Sequence, residues 1–184
     1  KSYLLGIDIG TSACKVAVFD RNGKVLAAAS GDYPVYYPHE GWAEQNPEEW
    51  WDAVCRATKE TMQKADITAD EIAGIGIDGQ SWSAIPIDRE GNVLANTPIW
   101  MDTRAQSICD RLNQEIGQEE IFEVAGNSLQ PSYSTAKILW YKENLPEVYA
   151  KIHKILQSNS YIAFKLTGAI TQDVSQGYGL HCFN

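Results

Sequence analysis

Residues 6–12 read Gly6-Ile7-Asp8-Ile9-Gly10-Thr11-Ser12, at the end of a short apolar run over 3–9. Strand alternation puts Leu5, Ile7 and Ile9 on one face and Gly6, Asp8 and Gly10 on the other. The first set is core. The second is a single carboxylate between two residues without side chains, and a strand carboxylate is costly unless it stays wet or meets a cation. The glycines leave room beside Asp8, and Gly10-Thr11-Ser12 then reads as a tight turn between antiparallel strands, its backbone and hydroxyl donors pointing one way. Such a group suits a Mg²⁺–phosphate, with Asp8 toward the metal and the turn around the phosphate oxygens. A solvent-facing aspartate followed by a plain hairpin fits the same residues, and local physics does not choose between the two.

Outward from this stretch, residues 14–20 alternate as a second strand, Asp20-Arg21-Asn22-Gly23 is a hairpin signal, and 25–33 resumes as a strand. A three-stranded antiparallel meander follows. After a loop over 34–45, Asn46 can cap a helix, Pro47 fits its first position, and Glu48 and Glu49 suit its positive end. Trp50, Val54, Ala57, Thr61 and Ala65 recur at helical spacing, so one face packs on a sheet. The short strand expected at 72–77 then implies a crossover into parallel pairing. Residues 20–27 echo 88–95, which predicts two hairpins with the same turn chemistry rather than a duplicated unit. Helices are expected over 103–116, 119–125, 135–143, 147–153 and 158–166, the last ended by Gly168, with a short strand at 154–156.

The bulk numbers exclude several classes. A net charge of −9 with no cluster of Lys or Arg argues against nucleic acid and anionic membranes. It also implies that a bound phosphate is held by backbone N–H groups and a metal rather than a basic wall. Cys14, Cys55, Cys109 and Cys182 stand far apart, with no zinc spacing, so reduced thiols in a cytoplasmic protein are expected. No apolar run approaches the roughly 18 residues of a membrane span, and no signal peptide opens the chain. The six Trp and nine Tyr exceed what packing demands, so some are expected on a binding surface. Gly74-Ile-Gly-Ile-Asp-Gly79 fits GxGxxG, but its glycines lie inside an apolar strand with no helix opening after them, and no P-loop motif exists. The chain starts at Lys1 almost inside a strand and stops at Asn184 without a cap or polar tail, so a piece of a longer protein is expected.

Taken in order, the motifs resemble those of the FGGY carbohydrate kinase family, most of all its xylulokinase branch. Gly6–Ser12 followed by Lys15 is similar to the first phosphate motif of sugar kinases in the actin, hexokinase and heat-shock-chaperone superfamily. Trp42-Ala-Glu-Gln45 and Asn46-Pro-Glu-Glu-Trp-Trp51 resemble the family's pre-helix loop and first helix, and Gly76-Ile-Asp-Gly-Gln80 its sugar-side strand. Trp100-Met-Asp-Thr-Arg104 resembles its W-x-D-x-R signature, and Lys137-Ile-Leu-Trp140 and Leu166-Thr-Gly168 with Asp173 and Ser175 resemble later markers. The resemblance implies a ribonuclease-H-like α/β fold, with a mixed sheet and flanking helices. Residues 1–184 would be a single truncated N-terminal lobe, the nucleotide-binding lobe and the general-base Asp lying beyond residue 184. It implies ATP-dependent phosphorylation of a xylulose-like pentulose, with Mg²⁺ and ATP as cofactors and a homodimer compatible with it. Asp8 would hold the metal, Gly10, Thr11, Ser12 and Lys15 the phosphate, and Gln80, Ser81, Trp82, Asp102 and Arg104 the sugar. The alternative is a non-catalytic sugar-binding or regulatory module on the same fold.

Each residue also has a plainer reading. Trp100 reads as core, Asp102 as a cap for the following helix, Arg104 as a first-turn surface residue and Lys15 as a solvated strand edge. His39, His153 and His181 stand isolated in sequence. Where xylulokinases carry Met-His after the Gly-Gln pair, this chain has Ser81-Trp82, which predicts that D-xylulose is not clearly its best substrate.

Overall fold

The computed structural model describes residues 2–182; Lys1 and Asn184, the two ends weighed above, lie outside the described residues. Strands β1 (Tyr3–Ile9), β2 (Ala13–Phe19) and β3 (Val25–Asp32) form the expected meander, with Asp8 opposite Lys15 and Lys15 opposite Ser30. Asp20 makes the β2–β3 turn by accepting from the backbone N–H of Asn22 (2.8 Å) and Lys24 (3.0 Å), with Gly23 at φ 81°. Asp88 repeats this with Glu90 (3.0 Å), Asn92 (2.8 Å) and Gly91 at φ 86°. The echo is shared turn chemistry.

The short strand β4 (Glu44–Gln45) precedes α1 (Pro47–Ala65), whose cap Asn46 accepts from Glu48 N–H at 3.0 Å. Trp50, Ala53, Val54, Ala57 and Thr61 are buried and pack against the β2 and β3 side of the sheet. Contact is close enough at Gly31 that a Cβ there would lie 3.0 Å from the Ala53 carbonyl oxygen. Strand β5 (Ile72–Gly79) then returns parallel to β1, two residues longer than expected, giving the mixed sheet order β3-β2-β1-β5.

Beyond β5 come β6 (Ile85–Ile87), β7 (Thr97–Pro98), α2 (Gln106–Glu115), α3 (Gln118–Ala125), α4 (Ser134–Asn144), α5 (Pro146–Tyr149), β8 (Lys154–Leu156) and α6 (Ser158–Thr167). β7 pairs with β4 and β8 with β6, while α6 packs on β5 beside α1 and ends at Gly168 in the left-handed region. Two expectations need correcting. The helix expected from residue 103 begins at Gln106, because Thr103 N–H donates to the Gly41 carbonyl (2.8 Å) and Asp102 is engaged with the same loop. The helix expected over 147–153 stops at Tyr149, because His153 N–H donates to Ile87 O at 2.7 Å and draws the chain into β8.

Leu5, Ile7, Ile9, Cys14, Val16 and Val18 meet Trp50 and Val54 in one core. Ala105, Ile108, Cys109, Leu129, Trp140 and Tyr141 form a second beneath α2 and α4. The opposite face of the four-stranded sheet is open: Leu4, Asp8, Lys15, Gly76 and Asp78 are exposed on it. Among the described residues no helix is long and apolar enough to cross a membrane.

Candidate active site

The turn after β1 has its carbonyls anchored from behind. Gly10 O accepts from Tyr33 Oη (2.6 Å) and Gln80 Nε2 (3.3 Å), Thr11 O from Gln45 Nε2 (2.6 Å), and Ser12 O from Tyr33 N–H (3.2 Å). Burial pushes the Tyr33 phenol far above its ordinary value, so it stays a donor. In a trans peptide the N–H points opposite the preceding C=O. The Thr11 and Ser12 N–H groups are therefore turned away from these anchors, as an anion-binding turn requires. Gly10 itself serves closure: its N–H donates to Ala13 O at 3.0 Å, and a Cβ would lie 2.8 Å from that oxygen. The room beside Asp8 comes instead from Gly76, where a Cβ would meet nothing within 4 Å among the described residues; the space over Gly6 is taken by the Phe19 ring, 3.1 Å from where its Cβ would lie.

Gln45, which the sequence did not single out as a site residue, is the hub behind the turn. It is 1% exposed; its amide donates to Thr11 O and to Pro34 O (3.2 Å), and its Oε1 accepts from Trp50 Nε1 (3.2 Å) and Gln80 Nε2 (2.8 Å). Gln80, expected against the sugar, thus also braces the turn, while its own Oε1 is buried without a hydrogen-bond partner among the described residues.

On the open face, β1 and β5 pair Gly6 with Gly76, Ile7 with Ile77 and Asp8 with Asp78. Asp78 is a second carboxylate that sequence reading passed over. The signal was present as a second Gly-Ile-Asp, hidden inside the failed GxGxxG match. Asp8, Asp78 and Lys15 border an open trough of about 990 Å³. The described residues hold no group of three or more His, Cys, Asp or Glu side chains fit to bind a metal alone. Mg²⁺ keeps waters and takes one or two carboxylates together with substrate phosphates, and the neighbouring Asp8 and Asp78 are a donor set of that kind.

The residues expected on the sugar side divide. Trp100 is 44% exposed and its Nε1 donates to Thr11 Oγ1 at 3.0 Å, so it is a surface ring at the turn and not core. Asp102 and Arg104 instead close on each other. Asp102 Oδ2 accepts from Ala43 N–H (2.6 Å) and Arg104 Nη2 (2.9 Å), and Arg104 Nη2 also donates to Glu44 Oε2 (2.8 Å). The Arg104 guanidinium lies 3.9 Å from the Trp42 ring centroid and 4.9 Å from that of Trp140, its side chain 3% exposed. Arg104 is thus no surface residue, and Asp102 does not cap α2, whose N-cap is Ala105. Trp82 sits at φ 67° with its ring 4.8 Å from that of Tyr133, and Ser81 is half-buried beside it. His181 bridges Thr135 Oγ1 and Ser128 O, both at 3.1 Å, and His39 lies 4.4 Å from the Trp42 ring.

Comparison with known proteins shows what the chain is similar to. The sequence is 34% identical to the xylulose kinase of Bacillus subtilis (strain 168) over 177 residues, 96% of this chain and 35% of that enzyme. It is 31% identical to the glycerol kinase of Thermococcus gammatolerans over 99% of this chain and 38% of that one. Among solved structures, a xylulose kinase from Brucella ovis superposes with a TM-score of 0.92 at 30% identity, covering 98% of this chain and 38% of its own. The chain therefore spans little more than a third of the length of these relatives. The sequence model for the N-terminal domain of the FGGY family of carbohydrate kinases matches residues 3–184, and with the turn after β1, the W-x-D-x-R segment and the mixed sheet in place, the chain belongs to that family.

Proposed function

We propose that the whole protein transfers the γ-phosphoryl group of MgATP to a hydroxyl of a sugar or polyol in the cytoplasm. Residues 1–184 act in it as the lobe that holds the sugar and one side of the phosphate. The observation that carries this is the bond from Trp100 to Thr11. It seats the exposed ring of the sugar-side segment on the anion-binding turn, and phosphoryl transfer depends above all on positioning and charge stabilisation. Thr11 and Ser12 N–H groups receive phosphate oxygens, and Lys15 adds a cation from the next strand. Asp8, with Asp78 beside it, holds Mg²⁺, which neutralises phosphate charge when bound. The general base comes from beyond residue 184, as the family resemblance implies, so this chain alone transfers nothing.

The xylulose and glycerol kinases among the relatives bracket the substrate class. Within it, Trp82 offers one N–H donor and a large ring held against Tyr133. A sugar hydroxyl that relies on histidine at this place loses its partner, a cost of about 1–3 kcal/mol. D-xylulose is therefore not clearly the best substrate, and Trp82→His shifts preference toward it. The test is kcat/KM of the full-length protein and this variant over pentuloses, hexuloses, polyols and sugar acids, read by ADP release. No sugar-dependent ADP release from any of them would end the kinase reading. A wide wild-type preference for D-xylulose, with a variant merely slower, would end the specificity reading.

A further inference from the structure

We propose that Lys137 is a positioning residue for sugar binding, acting through the main chain of Ser81-Trp82. Between β5 and β6 the segment 80–84 belongs to neither strand, so its carbonyls need partners from elsewhere. They find them in side chains. Lys137 Nζ donates to Trp82 O (2.7 Å), Ser134 Oγ to Ser83 O (2.9 Å), Tyr141 Oη to Ala84 O (2.8 Å), and Ser158 Oγ to Gln80 O (2.7 Å). Ser134, Lys137 and Tyr141 follow one another along a single face of α4 at helical spacing. That face is a row of donors laid along the segment carrying the sugar-side side chains.

Lys137 is the member that packing cannot explain. It is 0% exposed, and an ammonium taken out of water is unfavourable unless something in the fold needs it. A methionine would fill the same space. What the Lys137 Nζ donor holds is the carbonyl of Trp82, whose backbone lies at φ 67°. A bulky residue takes that left-handed conformation only when its surroundings impose it. On the other side, the Trp82 ring is fixed by Tyr133 and by Gly179, where a Cβ would lie 2.6 Å from Trp82 Cδ1. Backbone from one side and ring from the other are thus both constrained, and Ser81 is carried with them. Removing the Lys137 donor frees the turn, and the directions of Ser81 and Trp82 with it, while the phosphate turn keeps its anchors on Tyr33, Gln45 and Gln80.

This rests on the sugar-kinase reading, so the test has one arm that needs no catalysis. In the full-length protein, Lys137→Met is expected to raise the KM for the preferred sugar about tenfold, with kcat and the KM for ATP within about twofold, the signature of lost uniform binding. Tyr141→Phe and Ser134→Ala, which delete one donor each and little volume, are expected to show the same split in smaller measure. Hydrogen exchange should quicken at 81–84 in Lys137→Met and stay unchanged in β1 and β2. Unchanged exchange at 81–84 overturns the proposal whether or not a sugar substrate has been found. An unchanged sugar KM, or sugar KM, ATP KM and kcat deteriorating together in all three variants, overturns it as well. Should Lys137→Met fail to fold, the other two variants decide.

Discussion

Asp8 and Asp78 share a face because β1 and β5 are in register there; a slip of one residue would turn one of them into the core. Like charges on neighbouring strands repel when no cation lies between them, by roughly 0.2–1 kcal/mol. Asp78→Asn keeps the acceptor for Gly79 N–H and removes the repulsion. In EDTA it should raise the melting temperature by about 1–3 °C, and added Mg²⁺ should stabilise it less than wild type; equal responses to Mg²⁺ would separate Asp78 from the metal. Gln45 makes the opposite prediction. Gln45→Leu strands the Thr11 carbonyl, the Trp50 N–H and a Gln80 N–H, so urea unfolding should show a loss of about 2–4 kcal/mol. A loss within error of zero would mean that the turn does not need its hub. Asp8 was legible in sequence because alternation within its own strand isolates it. Gln45 was not, because its partners come from residues 11, 34, 50 and 80, and no local pattern joins them.

At the scale of elements, α1 could be read almost to the residue, since its cap, first-turn proline and apolar stripe all lie within one stretch. The start of α2 could not, because Asp102 and Thr103 are drawn to a loop some sixty residues earlier. α4 is found by periodicity, one residue short at each end, but a helical pattern does not say what its Ser134, Lys137 and Tyr141 reach; they face the 80–84 segment. The buried lysine has a pH consequence. Burial pushes the Lys137 ammonium down to about 7 from 10.5, with Asp102 working against that shift and Arg104 reinforcing it. Between those values the unfolded chain holds a proton that the folded chain does not, so stability rises with pH across the window and is lost as pH falls toward 7. Burial also raises the Tyr33, Tyr141 and Tyr161 phenols, whose contribution is common to wild type and Lys137→Met. The difference between the two denaturation midpoints, followed from pH 7 to about 10, should therefore change steadily in favour of wild type; a constant difference would place the lysine's titration elsewhere.

For the molecule as a whole, the mixed sheet sorts its residues by alternation: core toward α1 and α6, and Asp8, Lys15 and Asp78 toward an open trough. That sorting was legible for Asp8 and Lys15 because strand periodicity needs only the strand, whereas Asp78 was passed over inside the failed GxGxxG match. The sugar side was less so, because Asp102 and Arg104 are carried into a buried network with Glu44, Trp42 and Trp140, and Trp100 is left exposed on the turn in their place. If, as proposed, the general base lies beyond residue 184, the isolated chain should show no sugar-dependent ADP formation; such turnover in material free of host kinases would contradict a divided site. The central claim is that Asp8 and the turn after it hold the metal and phosphate for transfer to a sugar. It is tested most directly by Asp8→Asn in the full-length protein, measuring kcat at saturating MgATP together with sugar affinity by calorimetry. The account predicts a kcat lower by about a hundredfold or more with sugar affinity within about threefold. Near-normal turnover at saturating Mg²⁺ would contradict it.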